Sequence, residues 1–544
     1  MPVLRDVNEP VVKLSCSGRI FREATQELWA LGLTVLSGAL VCAAVYNVAI
    51  APYWDYNAHR LLPAFLLKKG MTLFPARHSG FELSTLYGPV TSVTYLPATL
   101  AHTPNAAVLI GSLLTAVLCF SAMLLLHLRV GAGGRRLTWL AFVTTGLFVC
   151  LIESTRYSCF SIHADGVALF YGMLAVAAAT WRKSTGETEM ICAACLASLS
   201  VWAKQPLVGV ALGLAAYYLL STGVKAAIRF SAYAVASASV LGAIFSAAWG
   251  WRELALNLLV LPAHHSWKHS SRLLELMYSY RTFAIADMFL VAPLAAYVLH
   301  RMVACEGRWS KIREETRGKP WVAAMLVGVC LIPLSLVSLS KTGGDVNNLS
   351  FCTLFLLLAC TLLLQELAGS GEKRVASFAL LVMVCSAAMC ATLEAPLVVA
   401  AKKKLRELPS SDQNVVFLYM QRHPGDGYFP WFPTAQVLAD GNVYNGVSGL
   451  RNRVQGGDVP TDAEFRQHIP AGAKFLAFAA NHGPWAGQVN FMAYLPEFLC
   501  ATTSRELPGF TLYYTRESAK AAGFACVVQP PADPEEDTRG GGME

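Results

Sequence analysis

Apolar runs of roughly twenty residues recur along this 544-residue chain, each long enough to cross about 30 Å of hydrocarbon as a helix. Nothing else in the sequence constrains the fold as strongly. Backbone in lipid must satisfy its own hydrogen bonds, so such segments are helices packed into a bundle. The expected spans are 29–50, 105–129, 137–153, 164–181, 190–202, 206–220, 226–249, 284–300, 321–340, 349–364 and 375–393. That makes about eleven transmembrane helices in an all-α polytopic bundle. Composition agrees, with 55% hydrophobic residues and 14% charged.

Orientation follows from lysine and arginine in the short loops. Arg129, Arg135 and Arg136, then Arg182 and Lys183, then Lys225 and Arg229 alternate with sparsely charged loops. Those basic loops are expected to face the cytoplasm, together with 301–319, Lys373-Arg374 and the N-terminal Lys13, Arg19 and Arg22. An odd number of spans then places the C-terminal region outside. Lys402, Lys403 and Lys404 fall on that side, although long translocated domains obey the charge rule poorly. The net charge of +8 lies largely in these loops, and no basic stripe is interleaved with aromatics, so no nucleic-acid partner is implied. About 25 polar residues precede the first apolar run, which is expected to be a retained anchor rather than a cleaved signal.

Four regions result: a cytoplasmic segment (1–28), a membrane domain (29–400) with a long first outer loop (51–104), an extracytoplasmic α/β domain (401–529) and an acidic, Pro- and Gly-rich tail (530–544) expected to be disordered. In the first loop, 56–69 has helical apolar spacing and stops at Gly70. Residues 86–100 are apolar but broken by Pro89 and Pro97, which suits helices lying in the interface. In the outer domain, 475–479, 510–514 and 524–528 read as strands, and 412–421 and 461–468 as helices. Most cysteines lie inside spans as small apolar residues; Cys500 and Cys526 share the outer domain and flank one strand, a candidate bridge in an oxidising compartment.

Ionisable residues gather where spans meet the outer surface. Asp55, in Ala-Pro-Tyr-Trp-Asp-Tyr, stands where the first span leaves the bilayer, a costly position without a partner or a chemical role. It suits either a general base or the N-cap of the following helix. Asp165 opens the fourth span, where it can cap the helix, orient His163 or Lys204, or bind a divalent metal ion with a second carboxylate such as Glu82. Lys204, with Pro206 behind it, is expected at the outer mouth, and Lys341 is followed by the flexible Thr342-Gly343-Gly344 and by Asn347. Each lysine is a candidate phosphate binder or a snorkelling side chain. His59, Arg60, Tyr87, Arg156 and Arg272 are further candidates for phosphate or substrate contacts. Tyr53, Trp54 and Tyr56 either stack on a sugar or belong to an interfacial aromatic belt. His265 and His269 can share a helix face and bind metal, or belong to a mobile loop meeting a carrier phosphate.

The ordered set of Trp54-Asp55, Leu86-Tyr87-Gly88-Pro89, Asp165, Ala203-Lys204 and Lys341-Thr342-Gly343-Gly344 resembles that of GT-C glycosyltransferases. More narrowly, it resembles bacterial members of the protein O-mannosyltransferase and aminoarabinose transferase superfamily. The likeness spans most of the chain, through short motifs. It departs at Tyr56, where many relatives carry a second acidic residue, and at Tyr87-Gly88, where a lysine often precedes the proline-containing run. The resemblance implies a hexosyltransferase of the bacterial inner membrane that moves a sugar from a polyprenyl-phosphate carrier to an extracytoplasmic glycan, lipid or protein, with inversion. Asp55 fits the base and Lys204 and Lys341 the carrier phosphate. The alternatives are a polytopic transporter and a non-catalytic binder of a lipid-linked substrate.

Overall fold

The computed structural model describes residues 17–81, 85–131, 134–181, 186–268, 271–306, 308–371, 411–479, 485–486 and 489–528. Helix α1 (Ser17–Ile50) ends in a 3₁₀ turn over Ala51–Tyr53, and α2 (Asp55–Lys68) begins directly after it. Leu61, Leu62, Phe65 and Leu66 bury α2 against the bundle, and Gly70 turns the chain out of the helix at a φ of 69°. The second apolar stretch of this loop forms α3 (Pro89–Thr94) and a 3₁₀ helix over Leu96–Leu100, each with a proline in its first turn.

The bundle continues through α4 (Pro104–Val130), α5 (Gly134–Leu151), α6 (Glu153–Phe160), α7 (Ala164–Ala179), α8 (Glu187–Ala203), α9 (Val208–Ser221) and α10 (Val224–Trp249). After it come the short α11 (Trp251–Ala255) and α12 (Leu261–His264), then α13 (Arg272–Ala304), α14 (Trp309–Thr316), α15 (Pro320–Ser340) and α16 (Ser350–Ser370). Helix α16 is the pillar of the bundle, apolar on nearly every face and buried over 83% of its most apolar window, as expected of a helix surrounded by others.

Among the described residues, five helices are long and apolar enough to cross a membrane, or seven if each of two bent pairs counts as one span. The expected spans 164–181, 190–202 and 206–220 fold as helices of 16, 17 and 14 residues, shorter than a straight crossing requires. The expected span 137–153 bends by 99° between α5 and α6. The last expected span, 375–393, lies outside the described residues.

The C-terminal region contains α17 (Asp412–Arg422), α18 (Pro433–Ala439), α19 (Val447–Gln455), α20 (Asp462–Arg466) and α21 (Arg516–Ala521) around a small mixed sheet. Strand β2 (Phe475–Ala479) pairs in parallel with β1 (Gly427–Tyr428) and antiparallel with β6 (Phe510–Tyr514), which carries β5 (Cys500–Thr503) on its other edge. A separate hairpin joins β3 (Trp485–Ala486) to β4 (Val489–Asn490). Thr461 caps α20 in a capping box with Glu464, so the helix expected over 461–468 begins where the sequence signals it and is shorter. The strand expected over 524–528 does not form: the segment meets the edge of β5 through an isolated bridge of Val528 to Cys500, with Ala501 N–H donating to the Val527 carbonyl at 3.2 Å, and through the Cys500–Cys526 disulfide.

This region is docked on the loop between α1 and α4. Buried Arg453 donates to the Pro75 carbonyl at 2.7 Å and pairs with Asp458, which also meets Arg77 at 3.2 Å. Thr434 donates to the Ala58 carbonyl at 2.6 Å and Lys69 to the Gly441 carbonyl at 2.7 Å. A Cβ at Gly80 would lie 2.1 Å from the Glu464 carbonyl oxygen, so the two backbones meet where only glycine fits. Helix α19 is thereby held over the start of α2, α12 and the end of α15.

Candidate functional site

Beneath α19 lies a cavity of about 720 Å³. Five segments distant in sequence converge on it: the first turns of α2 (Tyr56, His59, Arg60), the approach to α3 (Thr85 to Tyr87), His163, Lys204 to Pro206, and the turn from Val337 to Asn348. The loop carrying His265 and Lys268 closes one side, and Ser448, Arg451, Asn452 and Gln455 of α19 form the roof.

Local sequence explains how each side chain arrives. Helix α8 cannot run on through Pro206, whose ring would clash with the Trp202 carbonyl, so it ends at Ala203 and Lys204 leaves it extended with its ammonium turned inward. A Cβ at Gly88 would lie 1.7 Å from the Trp202 carbonyl oxygen; glycine lets the Gly88 N–H donate to the Ala203 carbonyl at 3.2 Å, setting Tyr87 beside Lys204. The turn after α15 is clasped to the histidine loop by Lys268 N–H to Ser340 O (3.1 Å) and Thr342 N–H to Ser266 O (2.8 Å).

Asp165 is the hub at the inner wall, fully buried. It pairs with Lys204, accepts from Asn347 Nδ2 at 2.6 Å, stands 2.7 Å from His163 Nδ1 and accepts weakly from Ser158 at 3.4 Å. With Nδ1–H donating to the carboxylate, His163 Nε2 accepts from the Tyr87 hydroxyl at 2.8 Å. The result is a Tyr87–His163–Asp165 chain reaching the cavity. Lys204 is 6% exposed, with Nζ 4.7 Å from the Phe351 ring centroid and 3.3 Å from Asn348 Oδ1. It is committed to Asp165 instead of standing free at the mouth, since a buried ammonium and carboxylate side by side compensate each other.

The remaining cations have no such commitment. Arg60 donates to the Tyr157 hydroxyl and lies 5.6 Å from the Tyr56 and Tyr157 ring centroids. Lys341 donates to the carbonyls of Ala263 and His265, each at 3.1 Å. Among the described residues, Arg60, Lys268, Lys341 and Arg451 have no carboxylate partner, and Asp345 is the one acidic residue lining the cavity. Buried polar atoms without hydrogen-bond partners also gather here: His59 Nδ1, His265 Nε2, Ser448 Oγ and Arg451 Nε. Burial pushes His59 down to about 4, with Arg60 and Arg451 adding to the effect, so it is a neutral imidazole near pH 7. Burial likewise lowers His265 and raises the Tyr87 phenol. A cationic wall bearing unsatisfied donors is suited to an anion with several acceptor oxygens.

Asp55 is the first residue of α2, one turn before His59; its side chain lies outside the described residues, as do Glu82 and His269. Helix α12 ends at His264 and His265 leaves it, so the helix face expected to join His265 and His269 does not form. The described donors do not fit a metal at Asp165, whose oxygens already receive Lys204, Asn347 and His163. Trp54 stacks on Tyr157 at 5.3 Å and Tyr56 meets Trp431 edge-on at 6.3 Å. Arg156 and Arg272 are not among the lining residues; Arg272 lies over Trp267 at 5.7 Å. Sequence reasoning missed Arg451 and Ser448. The Arg451-Asn452-Arg453 run was the available signal, but its role depends on docking of α19 across the first loop.

Fold and site define a polytopic helical membrane protein whose cationic cavity is roofed by a mixed-sheet region. No family profile and no curated protein matches the chain. Among solved structures, it is similar to the Archaeoglobus fulgidus oligosaccharyltransferase in complex with zinc and sulfate, at 11% identity and a TM-score of 0.41, over 88% of this chain and 72% of that one. It is also similar to the oligosaccharyltransferase AglB from Archaeoglobus fulgidus in complex with an inhibitory peptide and a dolichol-phosphate, at 10% identity and 0.40, over 90% and 75%.

Proposed function

We propose that the chain is an inverting glycosyltransferase of the GT-C type, moving a hexose from a polyprenyl-phosphate carrier to an extracytoplasmic acceptor in a bacterial inner membrane. The observation that carries this is the convergence of the family-like motifs, from Tyr87 to Asn347, on one cavity rich in cations without carboxylate partners. The carrier phosphate is met by Arg60, Lys341, Lys268 and Arg451, whose charge stabilises it as it departs. Neutral His59 and His265 supply further hydrogen bonds. Tyr87, its hydroxyl hydrogen donated in a hydrogen bond to His163, offers an acceptor oxygen to a sugar hydroxyl. Lys204 and Asp165 hold the inner wall and orient His163 and Asn347.

In the reaction, the acceptor hydroxyl oxygen bonds to the anomeric carbon while the carbon–oxygen bond to phosphate breaks and the carrier phosphate leaves with that electron pair. The hydroxyl proton passes to Asp55, the base in this proposal, and a single displacement inverts the centre. In this topology the cavity and the mixed-sheet region face outward and 301–319 faces the cytoplasm. The test is to incubate purified protein with a panel of polyprenyl-phosphate sugars and candidate acceptors, measuring carrier-phosphate release and donor binding. Transfer from at least one donor is expected; neither binding nor transfer with any of them would refute the reading.

A further inference from the structure

Helix α15 runs 21 residues from Pro320 to Ser340, roughly 30 Å at 1.5 Å per residue. The cavity described above lies at its last turn, and a second cavity, of about 1230 Å³, lies at its first. The two occupy opposite ends of a helix long enough to cross the bilayer. The second is enclosed by the ends of α9 and α13, by α14 and by the start of α15.

Its wall is of two kinds. Val298, Met302, Val322 and Met325 make an apolar side. Beside them, Arg301 is held by Glu315 at 3.1 and 2.5 Å and Lys319 by Glu366 at 2.6 Å. Lys311, Arg313 and Arg317 have no ion pair among the described residues, and Glu314 is the one lining carboxylate left to oppose them. Trp321 is 7% exposed and packs against Tyr297 with ring centroids 5.7 Å apart, yet its indole Nε1–H has no acceptor among the described residues. A buried donor is ordinarily satisfied, so this one calls for an acceptor from outside the chain. Trp309, 65% exposed at the rim, is the kind of residue that sits at headgroup level.

We propose that this cavity binds the headgroup of a phospholipid with net negative charge. A phosphate oxygen accepts from the Trp321 indole and meets Lys311, Arg313 and Arg317, while the acyl chains follow Val298, Met302 and Met325. The apolar wall at the end of a spanning helix favours a lipid over soluble phosphate. The excess of unpaired cations disfavours a zwitterionic headgroup, whose ammonium they repel. The site lies away from the proposed transfer chemistry, so its test needs no glycosyl donor.

Native mass spectrometry of the full chain in detergent, offered equal amounts of palmitoyl-oleoyl phosphatidylglycerol and phosphatidylcholine, reads the preference directly. One lysine or arginine near a lipid surface is worth about fivefold. Arg313→Gln/Arg317→Gln should therefore lower phosphatidylglycerol retention by about 25-fold, and Trp321→Phe should weaken retention of that lipid with the cations intact. Should the double variant unfold, Lys311→Gln, at an exposed position, carries the test with an expected loss of about fivefold. Equal retention of both lipids by the wild type would overturn the proposal. So would an unchanged preference in the cation variants, or displacement of the lipid by millimolar inorganic phosphate, which would mark a site for a soluble anion.

Discussion

Replacing Lys204 by methionine separates two accounts of this residue. As a lysine free at the mouth and waiting for carrier phosphate, its loss would weaken donor binding and leave stability alone. The structure instead places it 6% exposed against fully buried Asp165. Removing one partner of a buried pair leaves an uncompensated charge and costs about 3–5 kcal/mol. Asp165 would keep His163, Asn347 and Ser158, so the lower end applies: about 3 kcal/mol, more than a hundredfold in the folded-to-unfolded ratio. Asp165→Asn/Lys204→Met removes both charges at nearly constant volume and should recover most of that loss. The assay is a double-mutant cycle of unfolding in detergent, read by intrinsic fluorescence. If Lys204→Met unfolds like the wild type while donor binding alone weakens, the pairing is refuted.

Other consequences are equally direct. Arg451 has no ion pair among the described residues, so Arg451→Gln should weaken binding of a polyprenyl-phosphate sugar by about 10- to 100-fold with stability unchanged; lost stability with intact binding would return it to a structural role. His59 is held at about 4 in the fold against 6.5 when unfolded, so the unfolded chain takes up the proton first. Its contribution is therefore complete above pH 6.5 and is lost as pH falls toward 4; His59→Gln should flatten that part of the stability–pH curve, and identical slopes would contradict the assignment. The disulfide closes a separation of 26 residues, worth about 3 kcal/mol in loop entropy, so reductant should destabilise the mixed-sheet region; alkylation of both cysteines in unreduced protein would show that no bridge exists.

The elements legible in the sequence were those whose signal is local. The strands over 475–479 and 510–514 and the helix ending before Gly70 follow from apolar periodicity and a positive-φ glycine. Pro206 announced the break that frees Lys204 from its helix, but not where the ammonium then goes, because its partner Asp165 is 39 residues away. Arg451 was invisible for the same reason: only the docking of α19, through Arg453 on Pro75 and Gly80 against Glu464, carries it over the cavity. Apolar content marks candidate spans in the sequence but carries no helix length: α7 and α9 are apolar yet 16 and 14 residues long. The strand assigned to 524–528 failed because its apolar residues face no layer that would bury them: Phe524 meets Tyr514 edge-on, Val527 and Val528 are 63% and 50% exposed, and a single bridge joins the segment to the sheet.

The central claim is glycosyl transfer at this cavity with Asp55 as the base, and transfer by Asp55→Asn measures it most directly. Asparagine keeps the size of aspartate at the first helical position of α2, where Trp54 and not Asp55 is the N-cap residue, while removing the basic oxygen. The quantity to compare is the rate of sugar transfer from a polyprenyl-phosphate donor in wild type and variant, with donor binding and unfolding followed in the same preparations. The account predicts a fall of about 10²- to 10⁴-fold in transfer, with donor binding and unfolding nearly unchanged. Near-normal transfer by the variant would contradict Asp55 as base, and a wild type that transfers from no such donor would contradict the enzyme itself.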